Sequence, residues 1–193
     1  MEADWSAEIG ADLAEIHISW DGFIDLRRSP ADLHFISEAA RFPALANALT
    51  ALNDEASLLF TAKCDVWTMD EAEIDPYEFA APPEDVRTGL ASYIDVLEGS
   101  AGNFASFEFH ESWAKQLAND LRRVSVNNGR VDVVIRAART DDRAGYGITL
   151  YAAGCGSSSA AALANWESVL EVAVLATIKT AGSLPPPVSF PGE

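Results

Sequence analysis

Hydrophobic and polar positions form their clearest pattern between residues 130 and 182. In the apolar run 131–138, Val131, Val133 and Ile135 alternate with a more polar set, which is the period of a strand with one apolar face. Residues 147–153 form a second apolar run, and the polar stretch 140–145 between the two has the composition of a turn. The pattern therefore predicts an antiparallel C-terminal β-hairpin.

A helix pattern follows directly, with apolar residues at spacings of three and four from Ser158 to Thr180. Either Ser157 or Ser158 can cap this helix by accepting a hydrogen bond from a backbone N–H group two or three residues on. Because apolar residues also fill much of the opposite face, we expect it to be the most buried helix of the molecule. Gly182 is predicted to end it, and the proline-rich residues 184–193 to form an extended tail.

The rest of the chain mixes strand and helix patterns without regular βαβ alternation. The predicted elements are a short helix in residues 1–11, a hairpin in 14–26 that turns at Asp21-Gly22, helices starting at Ser29 and Pro43, a strand in 58–67, a loop in 68–83, and helices in 84–98 and 113–124. A chain of 193 residues is long enough for one well-buried core. We therefore expect a single α+β domain over residues 1–183, with a mostly antiparallel sheet packed against helices and a long buried helix after the hairpin.

The composition leads us to expect a cytoplasmic protein. The N-terminus lacks the basic and apolar regions of a signal peptide, and the sequence has no run of eighteen apolar residues. Cys64 and Cys155 are too few for a disulfide framework, which fits a reducing compartment. Three lysines against ten arginines, together with abundant alanine, indicate a bacterial origin.

The net charge of −17 is unevenly distributed along the chain. Residues 1–111 carry a net charge of −18, whereas residues 112–193 carry +1. Nucleic acid and anionic membranes would be repelled by such a surface, so neither is expected as a partner. The charge favours a basic protein partner, and a homodimer is a second option.

The densest acidic cluster lies in the predicted loop 68–83, which is longer than most connections and is therefore either functional or mobile. It does not have the residue order of an EF-hand, and we expect neither a metal ion nor a cofactor. The residues predicted to bind a partner are Asp70, Glu71, Glu73, Asp75 and Glu78. The alternative is that these carboxylates only keep the loop solvated. Arginines from the other half of the chain are predicted to pair with this loop, within one molecule or across a dimer; the candidates are Arg122, Arg123, Arg130, Arg136, Arg139 and Arg143.

Candidates for catalysis are few. The predicted loop Gly154-Cys155-Gly156 precedes a helix N-terminus, where backbone N–H groups stabilise an anion or a thiolate. It has neither the lysine of a phosphate-binding loop nor the spacing of a nucleophile motif, so a tight connection is the simpler interpretation. The candidate catalytic residues are Cys155, Ser157 and His110. The three histidines of the chain do not have the spacing of metal ligands.

These observations favour a cytoplasmic, non-enzymatic protein that binds a basic protein through an acidic surface. Bacterial inhibitors and immunity proteins are similar to it in size and charge. The alternative is a small enzyme or ligand-binding domain with a pocket between the sheet and the helices near Gly154–Ser159. Trp20 and Trp67 each lie at the end of a predicted strand, and a deep pocket lined by Trp67, Tyr93 or Tyr146 would favour this alternative.

Overall fold

A computed structural model describes residues 1–18, 20–140 and 142–184, so the predicted tail from Pro185 onward lies outside the described residues. The strands are β1 (Glu2–Glu8), β2 (Ile16–His17), β3 (Leu59–Asp70), β4 (Thr88–Glu98), β5 (Gly129–Arg139) and β6 (Ala144–Gly156). The α-helices are α1 (Ser37–Arg41), α2 (Pro43–Leu52), α3 (Ala101–Ala105), α4 (Phe107–Leu121) and α5 (Ser159–Ser183). Short 3-10 helices cover Pro30–Phe35, Glu71–Glu73, Pro76–Phe79 and Pro83–Asp85.

The six strands form one mixed sheet in the order β1-β5-β6-β4-β3, with β2 also paired to β5. The pairs β3–β4, β4–β6 and β5–β6 are antiparallel, whereas β1 and β2 run parallel to β5. The predicted C-terminal hairpin is β5–β6, in which Ile135 lies opposite Ile148. The α+β class with a mostly antiparallel sheet is therefore confirmed.

Helices α4 and α5 cover one face of the sheet and form the main core with it. Trp113 and Trp166 are completely buried there. Each indole N–H group has an acceptor, since Trp166 Nε1 donates to Ser92 Oγ at 2.9 Å and Trp113 Nε1 donates to the Thr177 carbonyl at 3.3 Å. A buried tryptophan with a satisfied N–H group adds apolar area without leaving an unpaired donor.

The long C-terminal helix is confirmed, with Ser158 as its cap, and it ends one residue beyond Gly182. It is not the most buried helix, however, because nine of its 25 residues are buried against seven of 15 in α4. Leu163 and Leu175 lie on its exposed side. By length and mean hydropathy α5 could cross a membrane, and it is the one such helix in the part of the chain that the structure describes. Its packing against the sheet accounts for the apolar composition.

The helix predicted over residues 84–98 is wrong, because this stretch forms the strand β4. Leu90, Ile94 and Leu97 have a helix-like spacing, but all three are buried in the sheet. The strand lies between β6 and β3, and both sets of alternate residues include buried apolar side chains, with Leu90, Ile94 and Val96 in one set and Ala91 and Leu97 in the other. A strand with apolar residues on both faces lacks the polar–apolar alternation that would distinguish it from a helix.

Long-range pairing also overturned the predictions for the N-terminal part. Residues 1–11 contain strand β1 instead of a helix. In the predicted hairpin 14–26, Ile16–His17 is the one strand among the described residues, and it pairs with β5. The strand predicted in 58–67 is confirmed as β3, but its register shifts between Thr61 and Cys64. This irregularity places Phe60 and Val66 in different hydrophobic clusters.

Candidate binding site

The face of the sheet opposite α4 and α5 is covered at its two ends and uncovered in the middle. One end lies under a cluster that includes Ile16 and Phe104, and the other under Ile74, Phe79 and Val86. We call the middle part the open face; its side chains are Trp67, Tyr93, Asp95, Arg136, Thr149 and Tyr151. The open face combines aromatic and charged groups contributed by four strands.

Three aromatic rings cross the open face from β3 to β6. The ring centroids of Trp67 and Tyr93 are 6.4 Å apart, and those of Tyr93 and Tyr151 are 6.0 Å apart. Burial, followed by the neighbouring Asp95, raises the pKa of Tyr93 to about 12, so its hydroxyl remains protonated. Trp67 is 39% exposed at the edge of this row. The row therefore presents apolar ring surface to solvent at the outermost strand.

A chain of polar contacts runs beside the rings. Arg136 forms an ion pair with Glu8 at 2.8 Å and donates to Thr149 Oγ1 at 3.1 Å and to the Tyr151 hydroxyl at 3.2 Å. Thr149 in turn donates to Asp95 at 2.6 Å. Burial raises the pKa of Asp95, against the opposing effects of the Thr149 hydrogen bond and the Arg136 charge. The network joins β1, β5, β6 and β4 and holds each polar side chain in place.

Trp67, Arg136 and Tyr151 of the open face line a trench of about 460 Å³. Its charged lining residues are Glu8, Glu73, Glu78, Asp132, Arg130 and Arg136, so carboxylates outnumber cations by two. Arg130 contacts Asp132 through two hydrogen bonds of 2.6 and 2.8 Å and Glu78 through an ion pair of 2.8 Å. The pairing predicted between the acidic loop and the arginines thus occurs at Arg130, within one molecule.

One wall of the trench belongs to residues 70–87, which we call the acidic segment and which contain seven acidic residues and one basic residue. Hydrogen bonds and an ion pair made by its carboxylates fix the conformation of the acidic segment. Glu73 accepts from the backbone N–H of Asp70 at 2.8 Å, Asp75 accepts from a backbone N–H group two residues on, and Glu71 pairs with Arg87 at 2.6 Å. All these side chains remain exposed, so the five predicted binding residues lie on a fixed surface.

The three candidate catalytic residues do not come together. Cys155 is completely buried under Ile74 and Phe79, and burial raises the pKa of its thiol. Ser157 is exposed beyond the end of β6. His110 is buried among the rings of Phe109, Trp113 and Tyr146, which lie with α4 on the other face of the sheet. The arrangement provides no nucleophile next to a base.

Gly154, Cys155 and Gly156 belong to strand β6, so the loop predicted there is wrong. A Cβ atom added at Gly154 would lie 2.7 Å from backbone atoms of Asn165 and Trp166, and one added at Gly156 would lie 2.7 Å from the Ala161 side chain. The glycines let α5 approach β6 closely. The close packing of α5 against β6 therefore explains the two glycines, and an anion-binding loop is not needed to explain them.

The three histidines occupy positions typical of structural residues and not of metal ligands or catalytic bases. His110 Nδ1 donates to the Ser106 carbonyl at 2.8 Å, and its buried Nε2 has no hydrogen-bond partner among the described residues. Burial lowers the pKa of His110, so the ring stays neutral. His17 is near Glu15 at 3.4 Å, and His34 contacts the Ala31 carbonyl. Within residues 1–18, 20–140 and 142–184, no group of three or more His, Cys, Asp or Glu could hold a metal ion.

Trp67, Tyr93 and Arg136 were singled out from the sequence, whereas Asp95, Thr149 and Tyr151 were not recognised as parts of the same site. The available signal was the polar residues at alternate positions of the hairpin, which a fully buried sheet would not carry. Comparisons with protein-family models, curated proteins and solved structures found no match.

Proposed function

We propose that this protein binds a basic protein partner in the trench of the open face. The observation that carries the proposal is the position of Trp67, a partly exposed indole at the rim of a trench whose lining has more carboxylates than cations. Trp67 is the apolar anchor in this proposal. The acidic segment supplies the complementary charge.

The size and lining of the trench suit a protruding side chain of a partner. Its volume of about 460 Å³ lies within the range of ordinary ligand pockets. Tryptophan and tyrosine are enriched among the residues that dominate protein–protein binding energy, and such residues tend to sit where a partner can exclude water. An arginine or lysine side chain of the partner could form cation–π contacts with the rings and ion pairs with the carboxylates there.

The carboxylates of the acidic segment are already ordered before a partner arrives. Glu73 and Glu78 are held by the Asp70 backbone and by Arg130, respectively, while remaining exposed. Ordered side chains lose less conformational entropy on binding than free ones. The excess negative charge also accelerates encounter with a basic partner. Because the protein would cover the partner's basic surface, its action is inhibitor-like.

The test is a pull-down from bacterial lysate with the immobilised protein at low salt. We expect wild type to capture a basic protein that is released as salt is raised from about 0.05 M to about 1 M, because screening weakens the contact between exposed charges. Trp67→Ala should lose this protein. That variant keeps the wild-type net charge, so the comparison separates specific binding from simple ion exchange by an acidic protein.

Trp20→Ala is the matched control, because Trp20 is 40% exposed, close to the value for Trp67, and lies outside the trench lining. It should capture the partner as wild type does. A second variant, with Glu73 and Glu78 both changed to Gln, should weaken capture and its salt dependence. The same proteins captured by wild type and Trp67→Ala, or none captured by wild type, would contradict the proposal.

A further inference from the structure

A second cavity, of about 400 Å³, lies outside the trench at the other side of the edge strand β3. It is bounded by residues 20–38, by α2 and by the irregular part of β3. Its floor includes Leu26 and Leu49, which are both buried. The cavity is preformed and has an apolar floor, and although Tyr93 of the open face is among its lining residues, it shares no described lining residue with the trench.

Two large aromatic side chains line this cavity and remain accessible to solvent. Trp20 is 40% exposed and Phe35 is 67% exposed. Large exposed apolar groups at a concave site are typical of ligand-binding pockets, where a ligand covers them. The aromatic lining favours a flat ring as the apolar part of the ligand.

The indole of Trp20 is held in place by three neighbours. Its Nε1 atom donates to the Ala62 carbonyl at 3.5 Å, and Lys63 Nζ lies 5.2 Å from the ring centroid. Gly22 has a φ of +91°, and a Cβ atom at that position would lie 3.1 Å from the ring. Gly22 therefore allows both the turn and the close approach of the indole. A ligand would meet an already ordered wall.

Among the residues that the structure describes, Glu38 is the one carboxylate in the lining of the cavity. Burial, followed by the charges of Glu38, Asp65 and Asp95, raises the pKa of the Cys64 thiol, which also lines the cavity, to about 12. The protonated thiol is a weak nucleophile and a poor metal ligand at neutral pH. The lining contains one cation, Lys63, which faces the Trp20 ring.

We propose that this cavity binds a small arylalkylamine, with its aromatic ring on the apolar floor beside Trp20 and its ammonium group facing Glu38. The ring matches the aromatic walls, and the positive charge matches the Glu38 carboxylate. A neutral ring of the same size binds less tightly, and a ring that carries a carboxylate binds least tightly.

The experiment compares three probes that share one ring system: tryptamine, indole and indole-3-acetate. Isothermal titration calorimetry at neutral pH should give one saturable site with affinities in that order. Tryptamine should bind about two- to fivefold more tightly than indole, which is the range for a partly exposed ion pair. Glu38→Gln should remove this preference while leaving the affinity for indole unchanged.

Two tryptophan variants locate the site. Trp20→Ala should weaken binding of both tryptamine and indole about tenfold, in the range expected when a principal aromatic contact is removed. Trp67→Ala should leave both affinities unchanged. For the protein partner the expectation is the opposite, since Trp67→Ala should lose the partner and Trp20→Ala should keep it. The two proposals can therefore fail independently. If Trp20→Ala does not fold, the loss of charge preference in Glu38→Gln carries the test.

Alkylation of Cys64 provides an independent location readout. Cys64 is partly exposed and Cys155 is completely buried, so excess maleimide should modify Cys64 first in the folded protein, at a slow rate because the thiol is mostly protonated. Tryptamine should slow that modification, and peptide mass spectrometry identifies the modified thiol. The proposal is overturned if tryptamine does not bind at millimolar concentration, if the three probes bind equally, if Trp67→Ala abolishes binding, or if Cys64 is not protected.

Discussion

Replacing Gly154 by alanine is expected to separate α5 from the sheet. The new Cβ atom would overlap the backbone nitrogen of Trp166 and would lie 2.7 Å from the Asn165 carbonyl carbon and the Trp166 Cα atom, well inside the 3.4 Å of an ordinary contact. Backbone atoms of a packed helix cannot rotate away, so α5 must shift and Trp166 must lose contacts. We expect a loss of about 3 kcal/mol in the free energy of unfolding, the upper part of the range for overpacking. The melting temperature should fall by about 6–12 °C.

Urea unfolding and thermal melting, both followed by circular dichroism, measure this effect. Gly182→Ala is the matched control, because a Cβ atom there meets nothing within 4 Å and the residue is in the same helix. This control should be more stable than wild type by about 0.5–1 kcal/mol, since alanine favours a helix over glycine. If Gly154→Ala melts within about 1 °C of wild type, the close packing of β6 against α5 does not explain the glycine.

Two further predictions concern buried ionisable groups. Burial raises the pKa of Asp95 in the folded protein, so the protonated carboxyl group stabilises the fold at low pH. This contribution to the free energy of unfolding is lost as the pH rises through the folded-state pKa. Asp95→Asn can still accept from Thr149 and should be more stable than wild type at neutral pH, with the advantage vanishing below about pH 4 in urea unfolding; lower stability at neutral pH would refute this. Burial lowers the pKa of His110, so stability should fall as the pH drops below about 6.5 through the folded pKa. His110→Phe should reduce that fall, and an unchanged pH profile would show that other groups cause it.

Local patterns were sufficient for part of the fold. The hairpin β5–β6, a serine cap of α5 at Ser157 or Ser158, and the strand β3 were all predicted from the sequence, and the structure places the cap at Ser158. Each has a signal within a few residues, either alternation in a strand, an apolar stripe in a helix or a capping side chain. The clustering of acidic residues in the acidic segment was also visible directly.

The sequence by itself therefore determined the α+β class, the C-terminal hairpin with its helix, and the position of the excess negative charge. Only the tertiary structure decided that residues 88–98 form a strand, that β1 lies parallel to β5, and that Arg136 and Asp95 share one polar network. The physical reason is that strand pairing joins residues far apart in sequence, and a strand with apolar residues on both faces lacks the alternation that identifies it. The side chains of the open face come together because the pairing of β3, β4, β5 and β6 places them on the same face of the sheet.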